Sequence, residues 1–296
     1  MSVLPSGDQW VMNSGGYEAT VVSVGGGLRG LTYDGRPVLL AYSEDEPAHA
    51  GIGQHLFPWP NRITDGKYTF EGVDRQLALT EPTAQNAIHG LTRWANWTRV
   101  DDQADEAVVI AAHRLHGQPG YPHQLDLRLM YQLGDDGLSV TASATNVGSG
   151  DAPYGYGAHP YLSVGRAIDE CVLEFTAAEW LEVSPERMMP IGLSPVAGSP
   201  FGFSGGKVLG GLKIDNAFTG LGGGSWSVTL TDPDSGVRSA LRSDTPWMQL
   251  YTGEALGRTA LAVEPMTCPP NAFITGQDLV VLKPGESHTT TFQVSV

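Results

Sequence analysis

Two side chains in this sequence combine the type and the setting needed to move protons, Glu264 and His159. Glu264 follows the apolar run Leu261-Ala262-Val263 and precedes Pro265, which biases the residue before it toward an extended conformation and against helix. The carboxylate is thereby pinned at the end of a strand. Desolvation there would raise its pKa toward neutrality and suit a general base; the competing reading is a rim carboxylate paired with an arginine. His159 lies in Tyr154-Gly155-Tyr156-Gly157-Ala158-His159-Pro160-Tyr161, a mix of turn formers and aromatics that predicts a shaped loop. An imidazole of reference pKa about 6.5 can give or take a proton near neutral pH. A buried, hydrogen-bonded structural histidine is the alternative.

Three other segments share that mix: Phe57-Pro58-Trp59-Pro60-Asn61-Arg62-Ile63, Asn86-Ala87-Ile88-His89-Gly90 and Ile214-Asp215-Asn216-Ala217-Phe218. Arg62 with Asn61 offers fork-like donors to sugar hydroxyls or a carboxylate, His89 a ligand donor, and Asp215 an acceptor for two hydroxyl hydrogens. Each alone is equally an ordinary ion pair or turn residue. His113, His116 and His123 invite a metal, but positions three apart on an extended strand face opposite ways and His116 falls in a turn before Gly117, so no metal site is predicted. Gly25-Gly26-Gly27 lacks the continuation of a nucleotide loop, which removes nucleotide cofactors. Trp10, Trp59, Trp94, Trp97, Trp180, Trp226 and Trp247 either stack on sugar rings or fill the core.

These residues are far apart in sequence, so the elements between them must bring them together. With 38 glycines and 20 prolines in 296 residues, turns are frequent and long helices disfavoured. Leu125, Leu127, Leu129, Tyr131 and Leu133 alternate on one face, Gly134-Asp135-Asp136-Gly137 turns, and Leu138, Val140, Ala142 and Ala144 alternate again; this predicts an antiparallel hairpin. A second hairpin is expected at the end of the chain, with Leu279–Leu282, a turn at Lys283–Ser287, and Phe292, Val294 and Val296. Further strands are predicted at Tyr17–Val24, Gly66–Phe70, Glu106–Leu115, Ile168–Phe175, Ser225–Leu230, Val237–Leu241 and Trp247–Tyr251, each bounded by turn residues. The best helical stretch, Thr176–Glu182, is too short to form a layer. The expectation is one all-β domain over residues 1–296, a large antiparallel β-sandwich with few short helices.

Seventeen basic against 32 acidic residues give a net charge of −15, a field that repels nucleic acid and anionic lipid and leaves a small molecule as the expected partner. Apolar residues make up 41% and charged ones 17%, and no run is long enough to cross a bilayer. The first basic residue is Arg29 and Met1–Trp10 has no apolar run, so the sequence predicts a cytoplasmic protein. Cys171 and Cys268 are in no C-x-x-C pair and are expected as buried, reduced thiols.

In order and over nearly the whole chain, the segments resemble the aldose 1-epimerase (galactose mutarotase) family. Asn61-Arg62-Ile63 with Asp65-Gly66-Lys67-Tyr68-Thr69-Phe70 resembles its Asn-Arg-Ile motif and the following strand, Ile88-His89-Gly90 its His-Gly-Gly segment, and Ala158-His159-Pro160-Tyr161 its His-x-Tyr-Phe motif. Pro190-Ile191-Gly192 to Gly198-Ser199-Pro200-Phe201 is similar to its Pro-Thr-Gly to Gly-Thr-Pro-Phe loop, and Gln249-Leu250-Tyr251-Thr252-Gly253 to its Gln-x-Tyr-Thr strand. The resemblance implies a β-sandwich with an open sugar cleft, Glu264 as general base and His159 as general acid. Asn61, Arg62, His89, Tyr161, Asp215 and Gln249 would hold an aldose, with no metal, nucleotide or covalent intermediate, in a monomer or homodimer. Departures from the family pattern, Leu91 after His89-Gly90 and Leu162-Ser163-Val164 after Tyr161, resemble the divergent bacterial branch. His89-Gly90-Leu91-Thr92-Arg93 is also similar to a segment of hexose-6-phosphate epimerases, for which Arg93 and Arg166 are the candidate phosphate binders. A glycoside hydrolase using Glu264 and Asp215, and a sugar-binding module without catalysis, are the alternatives from other classes.

Overall fold

Residues 3–101 and 105–296 are described by the structure, a computed structural model. Period-two patterning sets the longest strands, and the strands assemble into two large antiparallel sheets. One runs through Val108–Leu115, Leu125–Gly134, Gly137–Asn146, Ser287–Ser295, Arg238–Ser243 and Trp226–Thr231 as successive neighbours. The predicted hairpin is its centre: Leu133 pairs with Leu138 and Leu125 with Asn146, and the alternating leucines and Tyr131 are buried.

The other sheet positions the chemistry. Its middle neighbours are Arg36–Leu39, Tyr161–Leu162, Leu261–Met266, Trp247–Tyr251, Asp215–Thr219 and Glu179–Val183. Because side chains alternate along a strand, Leu162, Phe218, Met248, Leu250, Leu261 and Val263 enter the core that both sheets share. Their neighbours Tyr161, Asp215, Gln249, Tyr251 and Glu264 project from the opposite face into a cleft. Each fully buried leucine or valine contributes about 1.5–3 kcal/mol. A slip of one residue would drive Glu264 into the apolar layer, so the core fixes the register that presents the carboxylate.

Three expectations need correction. The C-terminal hairpin does not form: Val280–Leu282 pairs with Ala152–Tyr154, and Ser287–Ser295 lies between Gly137–Asn146 and Arg238–Ser243. The intervening turn wraps Asn146 instead, with Gly285 N–H donating to its carbonyl and Asn146 N–H to that of Glu286. The helical stretch Thr176–Glu182 overlaps the strand Glu179–Val183, because Trp180 and Leu181 put apolar groups on both faces of a sheet strand paired on each side. Ile168–Phe175 begins as a 3-10 turn at Ile168–Glu170 before the strand Val172–Glu174. Among the described residues the only α-helix is Ala272–Thr275, and no helix is long and apolar enough to cross a membrane. Cys171 and Cys268 are buried and free, while Trp59, Trp97, Trp226 and Trp247 are buried in the interior.

Candidate active site

All eight nominated residues, Asn61, Arg62, His89, His159, Tyr161, Asp215, Gln249 and Glu264, line one cleft of about 470 Å³, a size suited to a single sugar ring. Four adjacent strands supply the floor. Gln249 lies directly opposite Glu264, Asp215 opposite Tyr251, and Tyr161 opposite Ala262.

His159 sits between two short strand pairs, its N–H donating to the Gln54 carbonyl and its own carbonyl accepting from Gly53. Gly51 lets the backbone approach the ring: it has φ +78°, and a Cβ there would lie 2.7 Å from His159 Cδ2. Tyr161 stacks on the imidazole with centroids 5.0 Å apart and gives its hydroxyl to the Ala50 carbonyl, so it fixes the ring plane. His159 Nε2 stands 3.4 Å from Glu264 Oε1, and Glu264 Oε2 has no hydrogen-bond partner.

Burial dominates the electrostatics of this pair. It pushes Glu264 well above the ordinary carboxylate range, with the Asp215 charge adding and Arg62 opposing, and pulls His159 down to about 3. Both shifts favour the uncharged partners, so the pair carries one proton, which favours the carboxyl while the cleft is dry. Burial also raises Asp215, against Arg62 and a 2.6 Å hydrogen bond from Gln249 Nε2.

The opposite wall comes from the short ribbon Arg62–Thr64 paired with Asn86–Ile88. Asn61 and His89 flank it, both left-handed at φ +52° and +62°, and His89 N–H bonds the Asn61 carbonyl at 2.9 Å. Left-handed non-glycine residues cost stability and persist where the surroundings fix them, often at functional sites. Burial lowers His89 well below 6.5 and its Nδ1 has no partner. Arg62 Nε and Nη2 donate to the two carboxylate oxygens of Glu81, each at 2.9 Å. Burial alone would raise Glu81, but hydrogen bonds from Arg62 and Asn86 outweigh it and hold it below its usual value.

The sequence did not reveal Glu81, His49, Trp94 or Tyr251 as cleft residues. Glu81 sits in an unpatterned loop, and nothing in Thr80-Glu81-Pro82 announces an arginine partner. Trp94 had only its residue type as a signal; it is 57% exposed, at the cleft. His89, His159 and Glu264 place donor atoms within 4.8 Å of one another, two imidazoles and a carboxylate of the kind that can hold a divalent metal.

The profile of the aldose 1-epimerase family matches residues 8–295; the chain belongs to that family. It is 37% identical to the uncharacterized protein YihR of Escherichia coli K12, over 98% of this chain and 93% of that one. It is 26% identical to the aldose 1-epimerase of the same organism, over 81% and 78%. Among solved structures it is similar to the aldose epimerase homologue from C. elegans, with TM-score 0.86, 22% identity and 97% and 98% of the two chains covered. A galactose mutarotase-like protein from Clostridium acetobutylicum gives TM-score 0.84 at 19% identity, with 96% and 93% covered.

Proposed function

We propose that the protein is an aldose 1-epimerase that interconverts the α and β anomers of an aldohexose, with Glu264 as general base and His159 as general acid. The observation that carries this reading is the 3.4 Å separation of Glu264 Oε1 and His159 Nε2 in the floor of a sugar-sized cleft. A carboxyl oxygen and a ring nitrogen so close can each reach one of two oxygens bonded to the same carbon, which is the geometry of an anomeric centre.

The reacting pair starts with its one proton on His159. Glu264 removes the proton of the C1 hydroxyl while His159 protonates the ring oxygen; the bond between C1 and that oxygen breaks with its electrons going to oxygen. An open-chain aldehyde results. At that point Glu264 is protonated and His159 neutral, the arrangement that burial favours in the free protein. After rotation about C1–C2 the transfers run backward onto the other face, inverting C1. Positioned acid–base groups of this kind contribute about 10²–10⁴-fold. Asp215, held by Gln249, and Arg62, held by Glu81, are the proposed anchors for ring hydroxyls, with Asn61 and His89 beside them. A glycoside hydrolase would set the Asp215 carboxyl against Glu264 as its acid–base partner, whereas the group 3.4 Å from Glu264 is the imidazole of His159.

Anomer-exchange NMR tests the proposal. Wild-type protein is expected to accelerate exchange of an aldohexose, and Glu264→Gln to lower kcat by about 10²–10⁴-fold with KM little changed. Exchange that survives the substitution would remove Glu264 from the role of base.

A further inference from the structure

Two arginines line the cleft, Arg62 and Arg93, and they differ in one respect. Arg62 is neutralised by the two-pronged pair with Glu81. Arg93 forms no ion pair with any described residue; its one side-chain hydrogen bond is to the neutral amide oxygen of Gln54, at 3.4 Å. No lysine lines the cleft. In a chain of net charge −15, with 32 carboxylate side chains available, a half-buried guanidinium without one is a cation reserved for something else.

The backbone beneath Arg93 is built for it. Gln54, itself 2% exposed, donates from Nε2 to the Arg93 carbonyl at 3.2 Å. Gly25 packs under the same carbonyl with φ +73°, where a Cβ would lie 2.6 Å from the oxygen, and its N–H bonds the Ala95 carbonyl. Gly26 likewise closes on the ring of Trp97, 3.0 Å from its would-be Cβ. The triple glycine, which the catalytic reading leaves unused, is thus the seat of the segment from Arg93 to Trp97. On the solvent side the guanidinium carbon lies 5.9 Å from the ring centre of Trp94.

We propose that Arg93 pairs with one negative charge on the substrate, so that the cleft prefers aldoses bearing a monoanionic substituent away from C1, of the carboxylate or sulfate-ester type, over neutral hexoses. The inference rests on the epimerase reading for the reaction and on Arg93 for the choice of sugar. A single unpaired guanidinium matches a single charge. A phosphate monoester carries about 1.5–2 negative charges at neutral pH, more than one guanidinium neutralises, in a cleft that also holds Asp215 and Glu264. Burial shifts both of those carboxyls toward their neutral forms, which reduces their repulsion of a singly charged sugar.

The test compares kcat/KM for anomer exchange of glucose, glucuronate, glucose 6-sulfate and glucose 6-phosphate, with the galacto-configured set in parallel, at matched ionic strength. The sulfate and phosphate esters share a shape and differ in charge. A monoanionic sugar is expected to exceed its neutral counterpart by about tenfold or more, and Arg93→Gln to reduce that ratio by about 10–100-fold, as loss of a charged hydrogen bond does; Arg93→Lys should keep part of it. A wild-type ratio near one, a ratio that survives Arg93→Gln, or a phosphate ester ahead of the sulfate overturns the proposal. Calorimetric binding of methyl β-glucuronide against methyl β-glucoside, which cannot open, separates the two readings. Charge-selective binding without exchange of any aldose sinks the epimerase and supports Arg93; exchange without charge selectivity does the reverse, and the absence of both overturns both.

Discussion

His55 and His159 are buried imidazoles, His55 on a strand opposite Ala158 and His159 directly after that residue, and burial holds both near a pKa of about 3. Their surroundings differ. Tyr131 gives its hydroxyl hydrogen to the Gly26 carbonyl, so it must accept from His55 Nε2–H at 2.7 Å; Nδ1 is then the acceptor for Tyr156, at 2.9 Å. Every polar atom of that chain is satisfied. His159 faces instead a carboxyl 3.4 Å away, without a hydrogen bond between them, at the wall of an open cleft. Equal burial thus yields a structural histidine where the partners are complete and a reactive one where a partner is withheld.

The largest effect that could break this contrast is on turnover. His159→Asn is expected to lower kcat by about 10²–10⁴-fold while changing stability by less than about 1 kcal/mol, since functional groups are seldom placed for stability. His55→Phe should do the opposite, costing about 1–3 kcal/mol because Tyr156 is left with a buried hydroxyl and no acceptor. Urea unfolding and exchange rates on both variants check it; a stability loss at His159 as large as that at His55 would erase the distinction.

A smaller effect sharpens it. A histidine whose folded pKa is depressed takes up its proton on unfolding, so stability is lost as pH falls from about 6.5 toward 3. Glu264, raised in the folded state, has the opposite sign: it contributes at low pH and that contribution is lost as pH rises through its folded value. The terms of His159 and Glu264 therefore oppose each other, whereas His55 has no such counterweight. Over the window from pH about 6.5 to 3, wild-type stability should fall more steeply with acid than that of His55→Phe, by up to about 1.4 kcal/mol per pH unit. Urea midpoints measured across it are the check; parallel curves for the two proteins would deny His55 its uncharged burial.

The contrast also marks what the sequence could disclose. The eight cleft residues sit in motifs whose types and order are local facts, and the apolar run before Glu264 with Pro265 after it already placed that carboxyl at a strand end. Alternation identifies a strand and not its partner, which is why Val280–Leu282 was expected beside the last strand and is found beside Ala152–Tyr154. The Gly-Pro-aromatic loop marks His159 locally, but what makes one imidazole structural and the other reactive is not local: it lies in hydroxyls 76 and 101 residues from His55 and in the carboxyl of Glu264 facing His159. The same holds for the two cleft arginines: Glu81 is 19 residues from Arg62 in sequence, and Arg93 differs only by lacking such a residue in space.

The smallest expected effect concerns that arginine pair. Glu81→Gln keeps an acceptor for Arg62 and removes the charge, so the guanidinium loses its two-point anchor and a hydroxyl it holds loses orientation. KM for a neutral aldose should rise about tenfold, roughly 1.4 kcal/mol, with kcat falling less than KM rises. Because the folded state depresses the Glu81 pKa, the wild-type anchor persists above the ordinary carboxylate range and weakens only as pH falls through that lowered value. The substitution should therefore reproduce at neutral pH the KM that the wild type reaches only in stronger acid. It also leaves a second unneutralised guanidinium beside Arg93, so the preference for anionic over neutral sugars should widen. A preference that narrows would mean that Arg62 and Arg93 do not address the same bound molecule.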